Sequence, residues 1–275
     1  MGFFNQITSL DDIPQFNVEK VSLFDSMERK IPDTYSLQRT DDHTHLGIVK
    51  DKYVPIQLEE MIDIIGRASA KVGDINHIGY TVSRGGKKVL IQSELKGTIN
   101  VDGDLIKPLF YTVIDNTGGG SNKTIPSTIR IACDNAFHLI KQSGDNSTRA
   151  FHNHLFTARV DLMADNIISS IKTARGFTSI IEKLKGVKFS RDEMVKLTQR
   201  LLPVHENESA KRMHKREKIV SLYESGRGNV GETKWDALNA ITEFETHTGK
   251  KSPEKLIRNL TMPTLSKTGI NMLLA

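Results

Sequence analysis

The sequence predicts an α+β protein, in which a small antiparallel sheet packs on helices and a mainly helical C-terminal region follows. Two patterns lead to this prediction. The glycine pair Gly85-Gly86 separates two runs of alternating side chains, and apolar residues recur at helical spacing after residue 155. With 37% hydrophobic and 26% charged residues, the 275-residue chain has an ordinary globular composition. Its length allows the core of one large domain or of two small ones.

The predicted core begins with a helix over Ile56–Lys71, which has acidic residues in its first turn and basic residues in its last. Ile75–Ser83 and Lys88–Leu95 then form a hairpin, because the glycines between them accept positive φ angles. Lys107–Ile114 is the third predicted strand. We expect these strands to form an antiparallel sheet with the helix packed on one face.

Further elements are expected on both sides of this core. Residues 1–40 are predicted to be an irregular arm with short strand-like pieces, and a polar loop is expected over Asp115–Thr124. A strand over Ser127–Cys133 and a short helix over Asp134–Gln142 follow, with Asp134 as the N-cap. We divide the chain into an arm (1–40), an α+β core (41–150) and a basic helical region (151–275), the last two being compatible with one continuous domain.

The C-terminal region contains amphipathic helices. Ser190 followed by Glu193 forms a capping box at the start of one of them. The predicted helices cover Leu155–Leu184, Arg191–Leu201, Ser209–Ser225, the segment around Trp235, and Pro253–Leu260.

The sequence favours a cytoplasmic protein with no membrane contact. No apolar run approaches the roughly 18–20 residues that span a bilayer, and the first residues lack the pattern of a signal peptide. Cys133 is the one cysteine, which excludes an internal disulfide framework and a cysteine-based zinc site. We expect it to pack as a small hydrophobic residue.

Positive charge is concentrated in the C-terminal third. Residues 171–275 contain 20 Lys and Arg against 12 Asp and Glu. Such an excess favours polyanions, nucleic acid first, because binding releases counterions. Between residues 211 and 218 only Glu217 offsets five bases, which are Lys211, Arg212, Lys215, Arg216 and Lys218. At helical spacing they form either a phosphate-binding face or an ordinary solvated face.

Other basic residues are candidates for the same role. Gly118-Gly119-Gly120 with Lys123 resembles a phosphate-binding loop, but the Gly-Lys-Ser/Thr ending of a nucleotide-hydrolysing loop is absent. We therefore expect a flexible loop that approaches a nucleic-acid backbone with its N–H groups and Lys123. The remaining predicted contacts are Lys87, Lys88, Arg130, Arg149 and His152, the last of which is equally compatible with a solvated loop.

Two histidine-containing segments raise the question of a metal site. Asp42-His43-Thr44-His45 offers two imidazoles and a carboxylate, but on a strand His43 and His45 share a face with no third ligand identified. His152 and His154 suit phosphate contacts better. We predict no catalytic residue, no metal and no cofactor. A metal-dependent enzyme using either histidine pair stays open as an alternative.

The only tryptophan, Trp235, lies on a predicted helix that carries polar residues beside its apolar stripe. Leu238 continues the stripe, and Asn239 and Glu243 follow Trp235 by one and two turns on the same side. Polar residues in such a place either satisfy a buried neighbour or touch a ligand. We predict that Trp235 and Asn239 are structural, with a base-stacking role for Trp235 as the alternative.

Three motifs carry a resemblance to a known family. They are Leu46-Gly47-Ile48-Val49 with Tyr53-Val54-Pro55-Ile56-Gln57, Ile129-Arg130-Ile131-Ala132-Cys133-Asp134-Asn135, and the run from Trp235 to His247 entered through Gly226-Arg227-Gly228-Asn229. In this order they resemble the phage- and plasmid-like proteins grouped as domain of unknown function 932. The resemblance implies kinship with phage proteins and carries no settled activity.

The order helix, hairpin, strand, helix within residues 56–142 is similar to the core of single-strand annealing proteins of the RecT and Red-beta kind. In those proteins a curved antiparallel sheet packs on a helix, and subunits form rings or filaments with a basic groove. The resemblance implies a phage-encoded oligomer that binds single-stranded DNA in recombination or replication, including strand annealing, with Tyr80 or Phe110 stacking on bases. The main alternative is a non-catalytic oligomer that binds host or phage proteins.

Overall fold

The computed structural model describes residues 4–73, 75–101, 103–130, 135–138, 148–150, 176–249, 251–262 and 264–275, together with residues 165, 168, 169 and 172. Within this part of the chain the structure is α+β, as the sequence predicts: the antiparallel sheets and one helix come first, and further helices follow. None of the helices in these residues is long and apolar enough to cross a bilayer.

The strands of the described residues form two antiparallel sheets. The larger sheet contains, in spatial order, β1 (Asn5–Gln6), β5 (Ile75–Ser83), β6 (Lys88–Leu95), β8 (Asp104–Asp115), β9 (Asn122–Arg130) and β10 (Asn135–His138). In addition, β7 (Ile99–Val101) pairs with β8, and β11 (Thr148–Ala150) pairs with β9. The smaller sheet contains β2 (Val18–Phe24), β3 (Lys30–Arg39) and β4 (His45–Lys50).

The helices are α1 (Leu58–Val72), α2 (Phe177–Lys185), α3 (Arg191–Leu201), α4 (Ala210–Ser225), α5 (Lys234–His247), α6 (Pro253–Thr261) and α7 (Leu265–Leu274). The capping box predicted at α3 is confirmed, because Ser190 N donates to Glu193 Oε2 at 2.7 Å and Glu193 N donates back to Ser190 Oγ. Helix α7 is not predicted from the sequence, since Gly269 lowers its helix propensity. A Cβ at Gly269 would lie 2.8 Å from Ile241 Cδ1, so close packing on α5 explains the glycine.

The three-stranded core predicted from the sequence is confirmed. Strand β5 pairs with β6 and β6 pairs with β8, all antiparallel. The hairpin turn is Arg84–Gly86, and both of its glycines have positive φ angles. Helix α1 packs on one face of this sheet, where Met61 and Ile64 share a buried cluster with Phe110.

Helix α6 covers the opposite face of the same sheet. Leu256 and Leu260 share a buried cluster with Tyr111 of β8, which points away from the α1 side because successive strand residues alternate. The C-terminal end of α6 is held by Lys267 of α7, whose Nζ donates to the carbonyls of Leu260 (2.9 Å) and Met262 (2.8 Å). Desolvation lowers the pKa of Lys267 to about 8.

Two regions differ from the prediction. Residues 18–39, predicted within an irregular arm, form β2 and β3, because burial of Val18 and Leu37 in the α1 cluster favours regular pairing with β4. The helix predicted over Asp134–Gln142 is wrong where the structure describes it, since Asn135–His138 is a strand. Its pairing with β9 outweighs the capping signal of Asp134. Strand β9 already begins at Asn122, so the polar loop is shorter than predicted.

Trp235 joins the helices to the sheet. Its ring is only 2% exposed and shares a buried cluster with Ile106 of β8. Its Nε1 donates to Asp104 Oδ2 at 2.8 Å, and Lys185 Nζ lies 2.9 Å from the same oxygen. The carboxylate is therefore satisfied by an indole and an ammonium group. The division into arm, core and helical region stays a prediction, although the latter two share this cluster.

Trp235→Ala should lower the free energy of unfolding by roughly 3–5 kcal/mol, because it removes a buried ring and a donor to Asp104. Trp235→Phe keeps an aromatic ring and removes the N–H, so it should cost about 1–3 kcal/mol. Urea denaturation measures both values. Wild-type stability of Trp235→Ala, combined with a loss of ligand binding, would contradict the structural role.

His77 of β5 lies between two serine hydroxyls. Its Nε2 is 3.0 Å from Ser69 Oγ of α1, and its Nδ1 is 2.9 Å from Ser93 Oγ of β6. Burial lowers the pKa of His77 to about 4. The unfolded chain therefore takes up a proton near pH 6.5, where the folded protein still holds neutral imidazole.

We expect this histidine to make the fold sensitive to mild acid. The free energy of unfolding should fall by about 2 kcal/mol between pH 7 and 5, since the unfolded state alone binds the proton in this window. His77→Gln can hydrogen-bond the serines but does not titrate, so its stability should change less over the same interval. Urea titrations at several pH values compare the two proteins, and parallel curves would refute the assignment to His77.

Candidate nucleic-acid interface

The turn between β5 and β6 is held in place from two sides. Arg39 Nη1 donates to the Gly85 carbonyl at 3.2 Å, while its guanidinium stacks on Phe16 at 4.4 Å from the ring centroid. Asn116 Nδ2 donates to the Gly86 carbonyl at 2.8 Å. Arg84 begins the turn with φ +49°, a left-handed conformation that is unfavourable for a residue with a Cβ. These contacts maintain the turn in a conformation that positions its basic side chains at the surface.

The N-terminal turn of α6 meets this hairpin and forms a groove. Ser83 Oγ donates to Glu254 Oε1 at 2.7 Å, which ties the start of α6 to the end of β5. Two adjoining cavities of about 290 Å³ and 610 Å³ share Arg84, Glu254 and Arg258. We call them together the β5–α6 groove, whose other lining residues include Lys87, Lys88, Lys255, Ile257 and Met262.

The groove has an excess of positive charge. Lys88 Nζ lies 3.1 Å from Asp115 Oδ2, and the Asp115 side chain is 6% exposed. The charge of Lys88 is therefore neutralised by this carboxylate. Arg84, Lys87 and Arg258 form no salt bridge within the described residues. The hydroxyl of Ser83 lowers the pKa of Glu254, and Arg84 adds to this effect. Desolvation lowers the pKa of Lys255; the carboxylate of Glu245 opposes this shift, and the positive charge of Arg258 adds to it. A bound anion would favour the charged form of Lys255.

Comparison with protein families identifies the family of the chain. A family model described as domain of unknown function (DUF932) matches residues 45–266, which is most of the sequence. The chain belongs to this family. The family prediction from the three motifs is thereby confirmed, and the basic residues of the β5–α6 groove lie within the matched range. No curated protein and no solved structure matches the chain.

The glycine-rich segment of this DUF932 chain is packed against the smaller sheet. A Cβ at Gly118 would lie 2.2 Å from Val49 Cγ1, and one at Gly47 would lie 2.0 Å from the Thr117 carbonyl oxygen. Thr117 N donates to Asp115 Oδ1 at 3.0 Å. These contacts explain Gly118 and Gly47 by packing and give no support to a phosphate-binding loop. Lys123 lies in β9, outside the residues that line the groove.

The structure divides the basic cluster at 211–218 into internal and surface residues. Arg216 pairs through both terminal nitrogens with Glu208, and its Nη1 also donates to the Leu202 carbonyl at 3.0 Å. Arg212 Nε lies 3.8 Å from the same carboxylate, whose side chain is 6% exposed. The other three members, Lys211, Lys215 and Lys218, lie at the surface, and Lys215 is only partly exposed.

Other predicted residues have different outcomes. Arg149 of β11 is opposite Lys123 of β9, and Arg130 ends β9, so only their backbone positions are established. His152, His154 and Cys133 lie outside the described residues. Phe110 is fully buried and therefore has no face open to a base, whereas Tyr80 is partly buried. Asn239 is also fully buried, on the helix of Trp235.

The segment around His43 is built as a turn and a strand. Asp42 Oδ1 accepts from Thr44 N at 2.9 Å, and His45 Nδ1 is 2.8 Å from Ser36 Oγ. Among the residues that the structure describes, no group of three or more His, Cys, Asp and Glu side chains is placed to hold a metal ion. Asp42 and His45 thus have hydrogen-bond partners of their own within the fold.

Three basic residues of the groove were not predicted from the sequence: Arg84, Lys255 and Arg258. Arg84 precedes the glycine turn, so the run Arg84-Gly85-Gly86-Lys87-Lys88 already indicates the basic side chains on the hairpin side of the groove. Lys255 and Arg258 lie on an ordinary amphipathic helix. Their proximity to the hairpin results from the docking of α6 on the sheet, which no local pattern specifies.

Among the basic residues at 211–218, the paired Arg216 and the surface lysines should respond differently to substitution. Arg216→Gln should lower the thermal unfolding midpoint, because it leaves the Glu208 carboxylate without its bidentate partner. The triple variant Lys211→Gln, Lys215→Gln and Lys218→Gln should unfold like the wild type, since glutamine has nearly the same helix propensity as lysine. Thermal melts followed by circular dichroism test this. Equal midpoints for all three proteins would show that the Arg216 pair contributes nothing to stability.

Proposed function

We propose that the β5–α6 groove binds the phosphates of single-stranded DNA and that the protein acts in phage recombination or replication, with strand annealing as one activity. The observation that carries this proposal is the charge of the groove. Arg84, Lys87 and Arg258 have no salt bridge within the described residues, and Glu254 is the acidic side chain that lines the cavities. A phosphate backbone is the polyanion that such a surface suits.

The rigidity of the turn supports the proposal. Guanidinium groups form two parallel hydrogen bonds to phosphate oxygens, which requires a defined orientation. Because Arg39 and Asn116 already hold the carbonyls of Gly85 and Gly86, the backbone loses little conformational entropy when Arg84 and Lys87 engage a ligand. The groove is therefore organised before a strand enters.

A second set of contacts belongs to the same proposal. Lys211, Lys215 and Lys218 present positive charge on α4 and would hold phosphates of the same strand or of a second one. Lys123, Arg130 and Arg149 remain proposed contacts on the sheet. The protein would work in the cytoplasm of the bacterial host as a ring or filament of identical subunits.

Exposed apolar residues on the smaller sheet and on its β2–β3 turn fit self-association and also favour the second candidate function. Phe24 is 59% exposed, Met27 is 72% exposed and Ile48 is 61% exposed. Apolar groups at such exposure are suited to a protein interface. A non-catalytic oligomer that binds host or phage proteins through this surface, and no DNA, is therefore the alternative.

Removing the basic side chains of the groove that form no salt bridge should weaken DNA binding. The test variant carries Arg84→Gln, Lys87→Gln and Arg258→Gln, and the charge-matched control carries Lys183→Gln, Lys196→Gln and Arg200→Gln on exposed positions of α2 and α3. Fluorescence anisotropy with an oligothymidylate of about 20 nucleotides, between about 50 and 200 mM salt, gives the dependence of log K on log salt. We expect the slope of the test variant to flatten by about two, or ~0.7 for each lost phosphate contact.

The control decides whether the effect is local. Its slope should change much less than that of the groove variant, and both proteins should keep the thermal midpoint of the wild type. Equal losses in the two variants would mean that general charge, and not the groove, governs binding. If the wild type binds no single-stranded DNA at low salt, the nucleic-acid proposal is wrong and the protein-binding oligomer replaces it.

A further inference from the structure

We infer that the smaller cavity of the β5–α6 groove holds one unstacked nucleobase, so that the site selects single strands over duplexes. This inference rests on the proposed function and deepens it. The cavity measures about 290 Å³ and combines basic side chains with the apolar residues Ile257 and Met262. A site for phosphate alone would need no apolar wall.

Met262 is the residue that gives the cavity an apolar wall. It follows α6 and is 55% exposed, although its carbonyl is fixed by the 2.8 Å hydrogen bond from Lys267 Nζ. Its main chain is therefore held while its side chain remains at the surface. A thioether is polarizable and adaptable, and it packs favourably against aromatic rings. Ile257, buried to 5% exposure, forms the apolar part of the cavity on the sheet side.

Both cavities are lined by basic side chains, and the apolar residues Ile257 and Met262 line only the smaller one. Arg84 and Arg258 line both cavities and thus mark their boundary. The larger cavity is lined by Lys255, Thr248 and Ser252, which are polar or charged. A strand with its phosphates at the two arginines would put one base against Met262 and would continue into the larger cavity.

The size of the smaller cavity suits one nucleobase. Its volume of about 290 Å³ lies at the lower end of the range of small-molecule pockets, which begins at about 300 Å³. In a duplex every base is stacked and paired, and moving one into the cavity would cost a few kcal/mol of unstacking energy. A single strand offers unstacked bases freely. The same chemistry would admit a free mononucleotide, and the experiment must separate these two sources.

The test compares strands with and without bases. Wild type, Met262→Ser and the control Val204→Ser, at another exposed apolar residue, are titrated with a labelled oligothymidylate and with an abasic deoxyribose-phosphate strand of the same length and charge. Wild type and Val204→Ser should prefer the strand with bases by about fivefold. Met262→Ser should lose this preference and keep the salt dependence. Competition with thymidine monophosphate measures the affinity for the free nucleotide.

The outcomes separate this inference from the proposed function. Equal binding of both strands by the wild type, or an unchanged preference in Met262→Ser, would overturn the base pocket and leave the phosphate groove intact. Displacement of the strand by micromolar thymidine monophosphate would identify a free nucleotide as the ligand and overturn the selection of strands. Failure of the wild type to bind either strand would overturn both the pocket and the proposed function.

Discussion

Both faces of the central sheet are buried, and this constraint determines where the helices lie. In β8, Phe110 faces α1 whereas Leu109 and Tyr111 face α6. Each such side chain contributes about 1.5–3 kcal/mol when it leaves water, so neither face can stay uncovered. Helix α6 must therefore dock beside the β5–β6 hairpin. The groove is a consequence of this docking, because it forms where the first turn of α6 meets Arg84–Gly86.

The elements with strong local signals are predictable from the sequence. Gly85-Gly86 specifies the hairpin, and the box of Ser190 and Glu193 specifies the start of α3. A local signal can also mislead: Asp134 resembles an N-cap, yet Asn135–His138 pairs with the neighbouring strand β9. The groove escapes prediction for a different reason. Arg84 and Arg258 are far apart in the chain, and only the packing of α6 on the sheet brings them together.

The basic residues of the C-terminal third have two distinct uses. Several donate to carbonyls at the ends of neighbouring helices: Lys234 to Leu273, Lys267 to Leu260, and Arg216 to Leu202. Such carbonyls have no partner within their own helix and carry partial negative charge. Net charge alone does not distinguish these internal bases from those at the surface. The positive charge available to a polyanion is therefore smaller than the composition suggests.

The left-handed conformation of Arg84 lowers the stability of the hairpin, whereas its side chain serves ligand recognition in the proposed groove. A side chain at φ +49° costs about 1 kcal/mol relative to glycine, which adopts this conformation without strain. Glycine there would make the hairpin more stable and would remove the guanidinium that borders both cavities. Selection for thermostability alone would thus favour loss of the arginine. Substitutions that stabilise this protein and keep the guanidinium must therefore lie outside the turn.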